Sequence, residues 1–196
     1  MKNQVHQKQY KIGVLGATGT VSQRFIYLLA EHPFFAIRAL GASSRSAGKP
    51  YSKAVNWKQT RPIPAVVREM VVHECAPKHF KDCVIVFLGL DADVTGDIGA
   101  FSSDPSPPPR PHTSHPFPVC LRPIQSTPSV VADLAVFSNA KNYRRDPHVP
   151  LIVPLVNTSH FSIIPQQQHL HAPPLREGFI VTNTNCSTTA VVVPLA

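Results

Sequence analysis

Four cysteines in 196 residues, none in CxxC spacing, offer no thiol cluster for a structural zinc and no disulfide framework. Cys75, Cys83, Cys120 and Cys186 therefore read as reduced thiols, and no metal is expected. No apolar run approaches the roughly 20 residues that span a bilayer, and the polar opening stretch 1–10 lacks the apolar core of a signal peptide. The expectation is a cytoplasmic protein with no membrane partner. Acidic residues are also scarce, 11 against 19 Lys and Arg, giving a net charge of +8. The basic residues are dispersed, with Arg144-Arg145 the one adjacent pair, and no nucleic-acid-binding motif accompanies them, so nucleic acid is not the expected partner.

What is present is enough apolar sequence, 43%, for one core. KIGVLG at 11–16 is a short apolar run ending in glycine, the pattern of a buried parallel strand entering a tight turn. Val21, Phe25, Leu28 and Leu29 recur at helical spacing before Pro33, which predicts a helix over 20–31 with that buried face. Strands are predicted at 35–42, within CVIVFLG at 83–89, and at 135–138, 151–156 and 179–183, with a helix starting in 91–96. Strands alternating with helices specify an α/β fold, a doubly wound parallel sheet, because parallel neighbours need crossover connections. Residues 101–131 break the pattern: they hold nine of the 21 prolines and little apolar periodicity, the composition of a disordered insert.

Three motifs carry chemistry. GATGTVS at 16–22 follows a strand and opens a helix, so glycines let the backbone approach a pyrophosphate while free N–H groups meet the anion. Ser22 stands where a third glycine usually allows close helix-to-strand packing. GASSRS at 41–46 ends the second strand without the carboxylate that binds a ribose 2′-hydroxyl. Ser43, Ser44 and Arg45 suit a 2′-phosphate instead, which predicts NADP. NTNCSTT at 183–189 puts Cys186 at a strand-to-helix junction, where helix N–H groups favour a nucleophilic thiolate, with Asn185 as a donor to a developing oxyanion. Taken singly, a bare glycine turn, a solvated arginine and a merely buried thiol are the competing readings.

Together the motifs, in this order, resemble aspartate-semialdehyde dehydrogenases of the fungal and archaeal branch. GVLGATGTV at 13–21, AVNWK at 54–58, SNAKNYRRD at 138–146, VPLIVPLVN at 149–157 and NCSTT at 185–189 share that look, and residues 101–131 do not. Ser22, Leu88 and Ala190 depart from it. The resemblance implies a Rossmann-type NADP-binding domain over 1–185 and, from 186 to 196, the start of a catalytic and dimerisation domain. It implies NADPH-dependent reduction of β-aspartyl phosphate to aspartate semialdehyde, through a thioester on Cys186, in threonine, methionine and lysine or isoleucine biosynthesis, with this chain by itself expected to be inactive. Gly16, Thr18, Gly19, Thr20 and Val21 match the nucleotide loop and Ser43, Ser44 and Arg45 the 2′-phosphate site. Asn185 matches a position that holds the acyl group, and Asn142 and Arg144 match substrate- or phosphate-binding positions. The family is homo-oligomeric, and its general acid/base histidine matches none of the ten here. N-acetyl-glutamyl-phosphate reductase, which shares the cysteine logic, and a non-catalytic NADP-binding module are the alternatives.

Overall fold

A computed structural model describes residues 9–89, 133–170 and 174–196. The disordered segment expected at 101–131 and the helix expected from 91 lie outside those residues. Among the described residues seven parallel strands make one sheet: β1 (Tyr10–Leu15), β2 (Phe35–Ala42), β3 (Val72–Glu74), β4 (Ile85–Leu88), β5 (Ala135–Ser138), β6 (Leu151–Ile152) and β7 (Phe179–Asn183), in the order 3-2-1-4-5-7-6. All six pairings are parallel. This is the doubly wound arrangement that the alternating pattern predicted, with the order reversing beside β1.

Helix α1 (Thr20–Leu29) follows β1, and the single-turn helices α2 (Tyr51–Ala54) and α3 (Ala65–Arg68) precede β3. On one face Ile12, Val14, Ile37, Leu40 and Val72 pack with Ile26, Tyr51 and Val67. On the other, Leu15, Ala39, Val86, Val136 and Ile180 pack with Phe80, Cys83 and Val149. Strand alternation divides the two sets: Val14 and Leu15 belong to opposite cores.

Three expectations change. The buried side of α1 is Ser22, Gln23, Ile26 and Leu29, while Val21 and Leu28 are exposed. The face turns by about one residue because Ser22 and Gln23 find hydrogen bonds inside, so their burial is not penalised. The helix ends at Leu29, with the His32 N–H donating to the Leu29 carbonyl at 3.2 Å ahead of Pro33. The strand expected over 151–156 stops at Ile152. There Asn157 curls back, its Nδ2 donating to the Leu151 carbonyl at 2.8 Å and its Oδ1 accepting from the Val153 N–H at 2.8 Å, and Pro154 has no N–H to continue the ladder. After it come a 3₁₀ stretch at Thr158–Ile163, helix α4 (Ile164–Leu170) and, beyond β7, helix α5 (Cys186–Leu195).

Ser22 is accommodated without loss. Its side chain is fully buried, and its hydroxyl donates to the Leu15 carbonyl at 2.9 Å. The space comes from Gly89 on the neighbouring strand end, where a Cβ would fall on the Ser22 hydroxyl and lie 2.9 Å from the Ser22 nitrogen. Gly89→Ala should therefore destabilise the fold by about 1–3 kcal/mol as an overpacked site, and Ser22→Gly in the same chain should recover part of it. Urea denaturation of the two variants checks this; equal stability of Gly89→Ala and the unmodified chain would refute the packing argument.

Candidate dinucleotide and cysteine site

The sheet register brings the three motifs to one edge. Gly41, Leu15, Leu88, Ser138, Thr182 and Leu151 form a row of neighbouring partners across six strands. The chain leaves this row from β1 as the 16–19 loop, from β2 as 43–48, from β5 as 139–144 and from β7 as 184–186. Ligands of open parallel sheets bind outside the carboxyl ends of the strands, where these loops gather.

In the first loop Gly16 has φ of 70°, the left-handed region that a side chain disfavours, and it turns the chain out of β1. Gly19 caps α1, and the first helical bond is from the Gln23 N–H to the Gly19 carbonyl at 2.9 Å. The N–H groups of Thr20, Val21 and Ser22 thus have no carbonyl within the helix and lie at its positive end. The Ala17 N–H donates to the Gly41 carbonyl at 2.8 Å, fixing this loop to the end of β2.

Ser43, Ser44 and Arg45 are exposed beside it. The Ser46 and Ala47 N–H groups close a turn onto the Ser43 carbonyl at 2.9 and 3.1 Å, and Lys49 Nζ donates to the Arg45 carbonyl at 2.9 Å. Lys49 adds a second positive charge that the motif reading missed. No carboxylate occupies 43–48, so the residues present fit a 2′-phosphorylated dinucleotide better than a free 2′-hydroxyl.

Cys186 is exposed at the first position of α5. Asn185 caps that helix: its Oδ1 accepts from the Ser187 N–H at 2.9 Å and stands 3.7 Å from the Cys186 sulfur. With Oδ1 committed to the cap, the amide presents its Nδ2 donor elsewhere. Thr189 braces the turn, donating from its hydroxyl to the Asn185 carbonyl at 3.2 Å and pairing with the Thr184 hydroxyl at 2.6 Å. The other two described thiols differ in kind. Burial pushes Cys75 up, with a weaker opposing hydrogen bond from Gly16, and burial pushes Cys83 up to about 11, with Asp82 adding to it.

Arg144 is half-buried, and its guanidinium bridges two strand ends: Nε donates to the Asn183 carbonyl at 3.0 Å and Nη2 to the Asn139 carbonyl at 2.9 Å. It lies at the edge that carries Cys186, with two of its donors committed to main chain. Asn142 is placed in the adjoining 3₁₀ turn Lys141–Tyr143. Two further residues escaped the sequence reading. Tyr51, fully buried, donates its hydroxyl to the Ala17 carbonyl at 2.8 Å, and Gln23 donates to the Thr18 carbonyl at 2.9 Å. An apolar groove of about 230 Å³ also opens on the sheet, lined by Phe25, Phe87, Phe137, Phe161 and Val181. Among the described residues no helix is long and apolar enough to cross a membrane.

A parallel sheet in this order, with a glycine turn opening α1 at its carboxyl edge, defines a Rossmann-type dinucleotide-binding domain. Residues 11–101 match the family described as semialdehyde dehydrogenase, NAD binding domain. The chain is a homologue of fungal aspartate-semialdehyde dehydrogenases: it is 56% identical to that of Cryptococcus neoformans over 191 residues, 96% of this chain and 44% of the relative. To that of Schizosaccharomyces pombe it is 49% identical over 185 residues, 94% of this chain and 44% of the relative. The crystal structure of the Candida albicans enzyme with NADP is 45% identical and superposes with a TM-score of 0.75, covering 96% of this chain and 46% of that one. The chain thus spans less than half the length of the relatives it matches.

Proposed function

We propose that this chain binds NADP across the 16–21 and 43–45 loops and contributes the cysteine to an aspartate-semialdehyde dehydrogenase reaction, the NADPH-dependent reduction of β-aspartyl phosphate to aspartate semialdehyde. The observation that carries the reading is the placement of an Asn-capped, exposed Cys186 on the same sheet edge as a helix N-terminus with no side-chain cap among the described residues and a carboxylate-free 43–48 turn. The named relatives, and a solved relative with NADP, support it. The bound dinucleotide supplies hydride; the chain's own residues hold and orient. The helix N–H groups of Thr20 and Val21 receive the pyrophosphate, and Ser43, Ser44 and Arg45 receive the 2′-phosphate.

Cys186 attacks the acyl carbon, phosphate leaves, and a thioester remains for reduction. Asn185 Nδ2 steadies the acyl oxygen, and Asn142 and Arg144 serve as the substrate- or phosphate-binding residues. We assign the dinucleotide domain to residues 1–185 and the start of a catalytic domain to 186–196. That division is supported by α5 having no buried residue. The same reading makes the whole protein a cytoplasmic homo-oligomer of threonine, methionine and lysine or isoleucine biosynthesis.

The test is cofactor choice. The chain should bind NADPH more tightly than NADH, and Arg45→Glu should reverse the order, with a loss of about 10- to 100-fold for NADPH from the lost charge-assisted bonds and the added repulsion. Calorimetric titration of both forms measures it. Equal affinities in the unmodified chain would remove the 2′-phosphate assignment.

A further inference from the structure

Gln23 is a polar residue where an amphipathic helix should carry an apolar one. It is 1% exposed, and all of its recorded bonds are to main chain. Nε2 donates to the Thr18 carbonyl at 2.9 Å and to the Asn56 carbonyl at 3.0 Å, while Oε1 accepts from the Lys58 N–H at 2.7 Å. One side chain thus clamps the 16–19 loop to the 56–58 segment, 33 to 35 residues away in sequence. Tyr51 adds a parallel tie by donating to the Ala17 carbonyl at 2.8 Å. In a trans peptide the N–H points opposite to the C=O, so holding the Ala17 carbonyl inward turns the Thr18 N–H outward. Holding the Thr18 carbonyl on Gln23 likewise keeps an oxygen lone pair from facing an incoming phosphate.

We infer that Gln23 is a positioning residue for pyrophosphate binding, which sets the carbonyls of the 16–19 loop and couples that loop to the 56–58 segment. The inference rests on the dinucleotide reading above. The coupling comes with its own reporter. Trp57 lies between the two clamped residues, packs edge-on against the Tyr51 ring at 6.3 Å and 84°, and donates from Nε1 to the Arg61 carbonyl at 2.6 Å. It is the one tryptophan of the chain.

The experiment compares two ligands in the 196-residue chain and in Gln23→Glu: NADP, and adenosine 2′-monophosphate, which carries the 2′-phosphate but no pyrophosphate. Glutamate keeps the size and the acceptor for the Lys58 N–H, but in place of an NH₂ that donates to two carbonyls it offers either a carboxylate that repels both or a neutral carboxyl that donates to only one. Calorimetry should show NADP affinity falling by about tenfold or more, the scale of lost charge-directed hydrogen bonds, with adenosine 2′-monophosphate affinity unchanged. The Trp57 emission change on NADP binding should disappear with it. Equal loss for both ligands means a merely structural role, and an unchanged NADP affinity means no role; either overturns the inference. Should Gln23→Glu fail to fold, amide exchange in the unmodified chain decides: exchange of the Lys58 N–H should slow with NADP and not with adenosine 2′-monophosphate, and an NADP-insensitive Lys58 overturns it. Failure of the unmodified chain to bind NADP at all would instead overturn the reading on which this inference stands.

Discussion

Iodoacetamide at about pH 8 should alkylate Cys186 rapidly and leave Cys83 essentially untouched, a difference of at least about 10²-fold in rate. Two independent factors act in the same direction. Cys186 is exposed at the start of α5, whereas Cys83 is 3% exposed beneath Phe80 and Gly13. With its value pushed up to about 11, Cys83 also holds only about one thiolate per thousand at that pH. Cys75, half-buried and shifted in the same sense, should be slow too. Site-resolved mass spectrometry of a time course measures all of this, and Cys83 labelled as fast as Cys186 would refute it. A pH dependence of stability follows from the same burial. The folded value of Cys83 lies above its unfolded one, so the full contribution of the neutral thiol is present below the ordinary thiol range. It is lost as pH rises from there through about 11, and urea midpoints should fall across that interval.

The parts of this molecule written in contiguous apolar runs were legible from sequence, and the parts written in single polar side chains were not. Strands β2, β5 and β7 fall where β-branched and aromatic residues end at turn formers, and their limits match the expected ones. β3 escaped because three residues carry no period. β6 was overextended because Pro154, a local sign that the ladder ends, was read through, and because nothing in 151–156 announces that Asn157 will take over the bonds of the strand end. The helix face was misjudged for a related reason: hydrophobic spacing assigns Ser22 and Gln23 to solvent, and only tertiary partners at Leu15, Thr18, Asn56 and Lys58 make their burial favourable.

The same limit applies to the site. Glycine spacing and the missing carboxylate after β2 were readable because they constrain the backbone and the charge at one place in the chain. Arg144 was read as matching a substrate- or phosphate-binding position, yet its guanidinium spends two donors on carbonyls 5 and 39 residues away, a geometry that no motif encodes. The clamp by Gln23 and the tie by Tyr51 are invisible for the same reason. They serve the loop from outside the motif.

Removing the Cys186 thiol should have the largest effect of all, a loss of at least about 10³-fold in turnover, because among the described residues the other two thiols, Cys75 and Cys83, are partly or fully buried and pushed up by that burial. Since the chain spans 44% of the length of the Cryptococcus neoformans relative, the assay joins residues 1–196 to the remainder of that protein and follows phosphate-dependent reduction of NADP with aspartate semialdehyde. On the proposed mechanism the thiolate would form a C–S bond in the forward direction as the acyl C–O bond to phosphate breaks, so Cys186→Ala would abolish the thioester while leaving the 16–21 and 43–45 loops intact. NADP affinity should therefore be unchanged as activity disappears. Asn185 separates capping from catalysis. Asn185→Asp retains the oxygen that accepts from the Ser187 N–H, so α5 keeps its cap, but it deletes the Nδ2 donor and puts a negative charge where acyl oxygen becomes negative. It should lower kcat by about 10²- to 10³-fold with an unchanged urea midpoint. Asn185→Ala should lose both activity and about 1 kcal/mol of stability. A joined chain that turns over normally with Cys186→Ala would end the covalent mechanism, and one that is inactive with Cys186 in place would end the assignment of this chain as a competent half of the enzyme.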